Sequence, residues 1–249
     1  MKKALSFING IIILIILYLL GSILVNNELV LPSLNSVISS FFSLLKEKET
    51  YNAFLTTFSR TLISFLISFL LAFTFSLLGL FLPSFRYIFS PIISIFKSIP
   101  TISIILILII MVGFTLSPYI IVVLLTFPLL YEGINHGFDT FPRDLNDVLK
   151  IYSKDNFFYN LIKVRLPLAL PSIISSIISS FGLGFKSSIM AEVLVGSTSL
   201  IGIGYKLSQA RFNLEIADLF AWTTIITTII ILVDYLLLNL NQKTMSLLS

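Results

Sequence analysis

The chain has 249 residues, of which 57% are hydrophobic and 11% charged, with a mean hydropathy of +1.03 and a formal net charge of +4. A soluble domain carries roughly 25% charged residues to cover its surface, so lipid must replace water as the main solvent. Cysteine is absent, which excludes disulfides, thiolate metal sites and cysteine nucleophiles, and the modest positive charge does not suggest nucleic acid as a partner.

A bilayer core about 30 Å thick needs roughly 20 apolar helical residues, because only helices and closed barrels satisfy their own backbone in lipid. The uncharged stretch between Lys3 and Glu28 predicts a first helix near Phe7 to Val25. It reads as an anchor rather than a cleaved signal, since its apolar part is long and no small-x-small site follows. Next comes Leu31-Pro32-Ser33, then Val37, Ile38, Phe41, Phe42, Leu44 and Leu45 at helical spacing. This predicts an amphipathic helix over about 33–46 lying on the outer membrane surface. The uncharged run between Arg60 and Arg86 predicts a span from Thr61 to Leu82, ended by Pro83.

Ser98 to Tyr131 holds 34 uncharged residues, too many for one span and few for two. Gly113 and Pro118 bracket Phe114 to Ser117 as a tight turn, which leaves helices near Ile99–Val112 and Tyr119–Gly137. Further spans are expected from Leu168 to Met190 and from Leu219 to Leu240, with Asp234 near the end of the last. Six helices with both termini cytoplasmic put ten Lys and Arg inside and six outside, whereas fusing the third and fourth gives seven against nine. The positive-inside rule therefore favours six. The fold class expected is all-α, a polytopic membrane protein forming one domain over 1–249.

Catalytic signatures are missing from the sequence: it has no H-E-x-x-H, no paired intramembrane aspartates and no G-x-x-x-x-G-K-[ST]. The chain is thus expected not to be an enzyme, to hold no metal or cofactor, and to draw its energy from a partner or an ion gradient. His136 reads as structural, and Gly182/Gly184 and Gly202/Gly204 read as close helix packing and a turn. Lys186, Glu192, Arg60 and Asp234 are charges near span ends, where pairing or snorkelling suffices to hold them. Ion-coupled carriers place acids near the midplane; an ATPase-independent secondary transporter is the alternative reading.

The polar stretch from Glu132 to Arg165 is the place to meet a soluble partner. Within it, Asp147-Val148-Leu149-Lys150 and Ser153 are followed by Lys163-Val164-Arg165-Leu166-Pro167. This resembles the cytoplasmic loop of binding-protein-dependent ABC importer permeases, an acid-Ala-Ala triplet with a Gly three residues on and a later basic residue and Leu-Pro. Val148 and Leu149 stand at the alanines and Ser153 at the glycine. Leu31-Pro32-Ser33, Ser59-Arg60-Thr61, Lys97-Ser98-Ile99-Pro100, Ala191-Glu192-Val193-Leu194 and Gly202-Ile203-Gly204-Tyr205 resemble further family stretches, in order. They point to the branch handling nitrate, sulfonates, taurine, bicarbonate and vitamin precursors.

The resemblance implies a MetI-like ABC permease fold, a homodimer in the inner membrane of a bacterium, and an extracytoplasmic substrate-binding protein. It also implies two cytoplasmic ATP-binding subunits that use the ATP. The loop over about 138–166 would dock on those subunits through Asp147, Leu149, Lys150, Ser153, Phe157, Phe158, Lys163 and Pro167. Candidates for the translocation path are Ser176, Ser180, Lys186 and Glu192, with Ser172, Ser175, Ser179 and Gly184 sharing the small-residue face. On that expectation, bulky residues at Ser176 or Ser180 should block transport and spare assembly.

Overall fold

The computed structural model describes residues 2–140, 157–196 and 201–248, and among these the protein is helical throughout with no strand. The helices are α1 (Lys2–Val25), α2 (Leu34–Lys46), α3 (Lys48–Phe81), α4 (Pro83–Ser98) and α5 (Thr101–Asp139). After the undescribed stretch come α6 (Phe157–Asn160), a π-helical turn (Leu161–Arg165), α7 (Leu166–Val195), α8 (Ile203–Phe212) and α9 (Ile216–Leu248). Among the described residues four helical stretches are long and apolar enough to cross a membrane: Lys48–Phe81, Thr101–Asp139, Phe158–Val195 and Ile216–Val233; Ile12–Val25 is a shorter apolar one.

The expected apolar segments are all helical, yet several boundaries differ. α3 starts at Lys48 rather than Thr61 and runs straight through Arg60. Its buried face is a ladder of small residues, Ala53, Thr57, Thr61, Ser64, Ser68, Ala72, Ser76 and Gly79, at spacings of three and four. Such a face lets helix backbones approach closely in lipid, where dispersion and polar contacts drive association. Thr126 Oγ1 on α5 donates to Ser68 Oγ at 2.8 Å across this seam. Pro83 does end α3, but it also opens α4 as a first-turn proline, a helix the sequence reading left as a connection.

In α5 the break falls on Gly113, whose φ of 80° and ψ of 178° interrupt the helix. Phe114 to Ser117, expected to form the turn, are helical. Ile105 and Ile121 nonetheless pack into one buried cluster with Ala191. Residues 16 apart on a straight helix would lie about 24 Å from each other, so the chain folds back at Gly113. The arm before it, Thr101 to Val112, is about 18 Å long, too short to cross a bilayer alone.

α5 and α7 share the most extensive interface, followed by α3 and α5. Gly133 and Gly137, one turn apart, let α5 sit directly on Ser176, Ala169 and Ser172 of α7. The larger core gathers Phe65, Ile93, Leu130, Tyr131, Ile134, Phe138 and Phe181 from α3, α4, α5 and α7. A second core collects Leu44, Phe185, Ile189, Ile203, Trp222 and Ile225, and it seats α2, α8 and α9. α2 is capped by Ser33, whose hydroxyl accepts the Ser36 amide at 3.2 Å. Tyr18 Oη of α1 donates to the Pro32 carbonyl at 2.7 Å, pinning the Leu-Pro-Ser opening. Apart from this corner α1 is peripheral, with Leu14, Ile23 and Leu24 more than two-thirds exposed, as suits a lipid-facing helix.

Candidate functional site

Three stretches far apart in sequence meet in one buried polar clamp. α3 and α7 run antiparallel, with Phe65 against Phe181 at 5.3 Å between ring centroids and, farther toward the α8 end, Arg60 against Glu192. Arg60 Nη1 is ion-paired with Glu192 Oε1, and the residues are 1% and 2% exposed. Two buried charges repay their loss of hydration only when further hydrogen bonds complete the geometry. Here they do for the carboxylate. Its Oε2 accepts Thr57 Oγ1 at 2.9 Å and the Gly204 amide at 2.9 Å. Thr57 Oγ1 in turn accepts the Ile203 amide at 2.9 Å, so the first turn of α8 is held by side chains of α3 and α7. Arg60 also stacks on Tyr119 of α5, 5.6 Å from guanidinium carbon to ring centre, a contact that strengthens away from water.

Glycine is required at the α8 side of the clamp. A side chain at Gly202 would collide with the Glu192 carboxylate and Thr57 Oγ1, and one at Gly204 would collide with the Ile189 carbonyl and Glu192 Cβ. The sequence singled out Arg60, Glu192 and the Gly202-Ile203-Gly204 stretch separately, and the structure brings them together. Thr57 and Tyr119 were missed. Thr57 had a signal, three residues before Arg60 on the same helix face; Tyr119 had none.

The serine face of α7 lies farther along the helix. Ser172, Ser175, Ser176 and Ser179 line a groove with Gly133 and His136 of α5. Ser175, Ser179 and His136 are exposed, Ser172 and Ser176 half-buried. Ser176 is committed to packing: its Cβ lies against Gly133, and its hydroxyl donates to the Ile173 carbonyl at 2.8 Å. Ser180 is wholly buried and Lys186 is exposed. The four path candidates therefore do not share one environment.

At the other end of α7 lies the C-terminal part of the expected docking loop. Asp147, Leu149, Lys150 and Ser153 lie outside the described residues. Phe157 begins α6, while Phe158 and Lys163 are exposed and Pro167 is half-buried. Leu161 is buried and anchors this segment to the core. The span expected from Leu168 begins earlier, on a helical path that is continuous through Leu166-Pro167. The π turn accounts for this: the Leu166 amide bonds five residues back to Leu161, which widens the turn where Pro167 has no amide to give.

Near this end, Arg86 of α4 makes a two-pronged ion pair with Asp139 of α5, Nη1 to Oδ1 at 2.6 Å. Lys97 Nζ reaches Glu132 at 2.7 Å. Both are partly exposed, so each contributes at most about 1 kcal/mol. The hydrogen bonds to Asp139 raise the Arg86 pKa above its ordinary value. Among the described residues no group of three or more His, Asp or Glu could hold a metal ion.

The comparisons agree with this architecture. Over 93% of its length this chain is 24% identical to the SsuC permease protein of Bacillus subtilis (strain 168), named for aliphatic sulfonates transport, and the match covers 83% of that protein. A chain of the methionine ABC transporter MetNI, solved in inward facing conformations, superposes with a TM-score of 0.63 at 16% identity, over 81% of this chain and 96% of that one; at that identity the likeness shows the fold. Residues 76–246 match the family described as the binding-protein-dependent transport system inner membrane component. That stretch runs from the end of α3 through α9, well over half the chain, and the protein belongs to this family, as a permease subunit of an ABC importer.

Proposed function

We propose that two copies of this chain form the membrane path of an importer for a small anion, with a sulfonate ahead of nitrate or a vitamin precursor. An extracytoplasmic binding protein delivers the solute, and two cytoplasmic ATP-binding subunits drive alternating access in the inner membrane of a bacterium. The observation that carries the reading is the placement of three features on one helical path. Phe158 and Lys163 are exposed at one end, the serine-lined groove lies midway and Glu192 is clamped at the far end. The ATPase would engage the first, through the loop over about 138–166 that includes Asp147, Leu149, Lys150 and Ser153. The solute would pass along the second, past the exposed Ser175 and Ser179 and toward Lys186, with Ser176 and Ser180 packed behind them. Support for a sulfonate comes from the relative named for aliphatic sulfonates, and hydroxyl donors with an exposed lysine suit an oxyanion.

The test is uptake of a labelled alkanesulfonate by vesicles containing this chain, its ATP-binding subunit and its binding protein. Accumulation that requires enclosed ATP and is displaced by unlabelled sulfonate, but not by an uncharged analogue, is the expected result. Uptake that persists without the ATP-binding subunit and collapses with an ionophore would overturn the importer reading; ATP-driven uptake of another solute alone would overturn the sulfonate.

A further inference from the structure

Between α2, α3 and α9 lies a cavity of about 380 Å³. Its walls include Phe41 and Leu45 from the amphipathic α2, Phe54 from the start of α3, and Trp222, Ile225 and Ile229 from α9. Trp222, 3% exposed, also lines a second pocket, and this one is polar. There Glu47, Glu215 and Asp218 face a single cation, Lys206, which is already ion-paired with Glu49. Among the described residues the other three carboxylates have no ion-pair partner. The polar pocket sits at the first turn of α9, and the slot runs on to Ile229, about three turns deeper along that apolar helix. An apolar slot beside an anionic, hydrogen-bonding rim matches a molecule with a hydrocarbon tail and a cationic head.

We propose that this double pocket binds one phospholipid with a primary-amine headgroup, a phosphatidylethanolamine, its acyl chain in the slot and its ammonium against Glu47, Glu215 and Asp218. The phosphate, two bonds from the ethylene linker, falls to the side-chain amides of Gln209 and Asn213 and to Lys206, whose ammonium it shares with Glu49. Glu47 and Glu215 are exposed and Asp218 is half-buried; carboxylates beside an apolar slot are costly when unpaired, and the headgroup ammonium supplies them with a countercharge. A phosphatidylglycerol head, anionic and without an amine, meets repulsion at the same rim.

Trp222 is the single tryptophan of the chain, so its emission reports on both pockets. The full-length chain in detergent is titrated with phosphatidylethanolamine or phosphatidylglycerol brominated on the acyl chains. Saturable quenching is expected, with half-saturation about fivefold lower for the ethanolamine lipid, the upper range of exposed charge pairing. Filling the slot by T228F with I229F should abolish the saturable phase. E215Q with D218N, which alters only the rim, should leave the quenching and erase the headgroup preference, and it keeps the test decisive where the filled variant fails to fold. Quenching that rises in proportion to the lipid-to-detergent ratio, or equally for both headgroups, overturns the proposal. So does no quenching at all, as when a second copy of the chain covers the slot.

Discussion

Arg60 and Glu192 are 132 residues apart in sequence and form one buried ion pair, joining α3 to the far end of α7. The carboxylate is the better satisfied partner, accepting from Arg60, Thr57 and Gly204. Losing it strands a guanidinium.

Replacing Glu192 by Gln removes the countercharge and keeps the shape. The expected cost is about 3–5 kcal/mol, the range for breaking a buried pair by one partner, read as a lowered unfolding midpoint in detergent. Replacing both Arg60 and Glu192 by Met should recover much of it, since well-packed apolar pairs substitute for buried ion pairs at little loss. A midpoint unchanged in E192Q would mean that the clamp does not stabilise the fold.

Gly202→Ala and Gly204→Ala test the clamp from its other side. Each methyl enters occupied space, which costs about 1–3 kcal/mol. Hydrogen exchange at the Ile203 and Gly204 amides should quicken in both, because those amides donate to Thr57 and Glu192. Exchange no faster than in the parent would detach α8 from the clamp.

The serine face separates packing from passage. Ser176→Leu drives a branched side chain into Gly133 and should destabilise by about 1–3 kcal/mol. Ser179→Leu places the same bulk in the open groove, where stability should stay within about 0.5 kcal/mol while sulfonate uptake falls at least tenfold. This revises the expectation from sequence, in which Ser176 and Ser180 were the residues to plug. Normal uptake by S179L would take the groove out of the path.

Phe158→Ala probes the docking end. Its ring sits 6.1 Å from that of Phe81, an aromatic contact whose loss costs about 0.5–1.5 kcal/mol. The fold should therefore survive, while co-purification of the ATP-binding subunit drops sharply. Full recovery of that subunit would place the coupling surface elsewhere, within Asp147 to Ser153.

The spans were legible because charge-free runs are a direct record of lipid solvation, and Gly113 with Pro118 signalled a break there, although it falls on Gly113 itself and not on Phe114 to Ser117. Boundaries set by charge or proline were less so. Arg60 looked like the edge of a span, and it is a mid-helix residue paired 132 positions away. Pro83 looked like a stop; it ends α3 and also begins α4. Motif residues could be named one stretch at a time. That Ser59-Arg60, Ala191-Glu192 and Gly202-Ile203-Gly204 converge depends on the antiparallel packing of α3 against α7, which local patterns do not encode.

The π turn has a mechanical consequence. By absorbing Pro167 without breaking the chain, it leaves the backbone helical from Phe158 to Val195, a strut of about 57 Å along its axis at 1.5 Å per residue, with the π turn and Pro171 as the places where it bends most readily. The strut is pinned at its far end by Glu192 and seated midway on Gly133 and Gly137 of α5. A push at Phe158 thus reaches Glu192 through unbroken helix, by way of the π turn and Pro171. The Arg60–Glu192 clamp is the joint where such a stroke must be either carried or released.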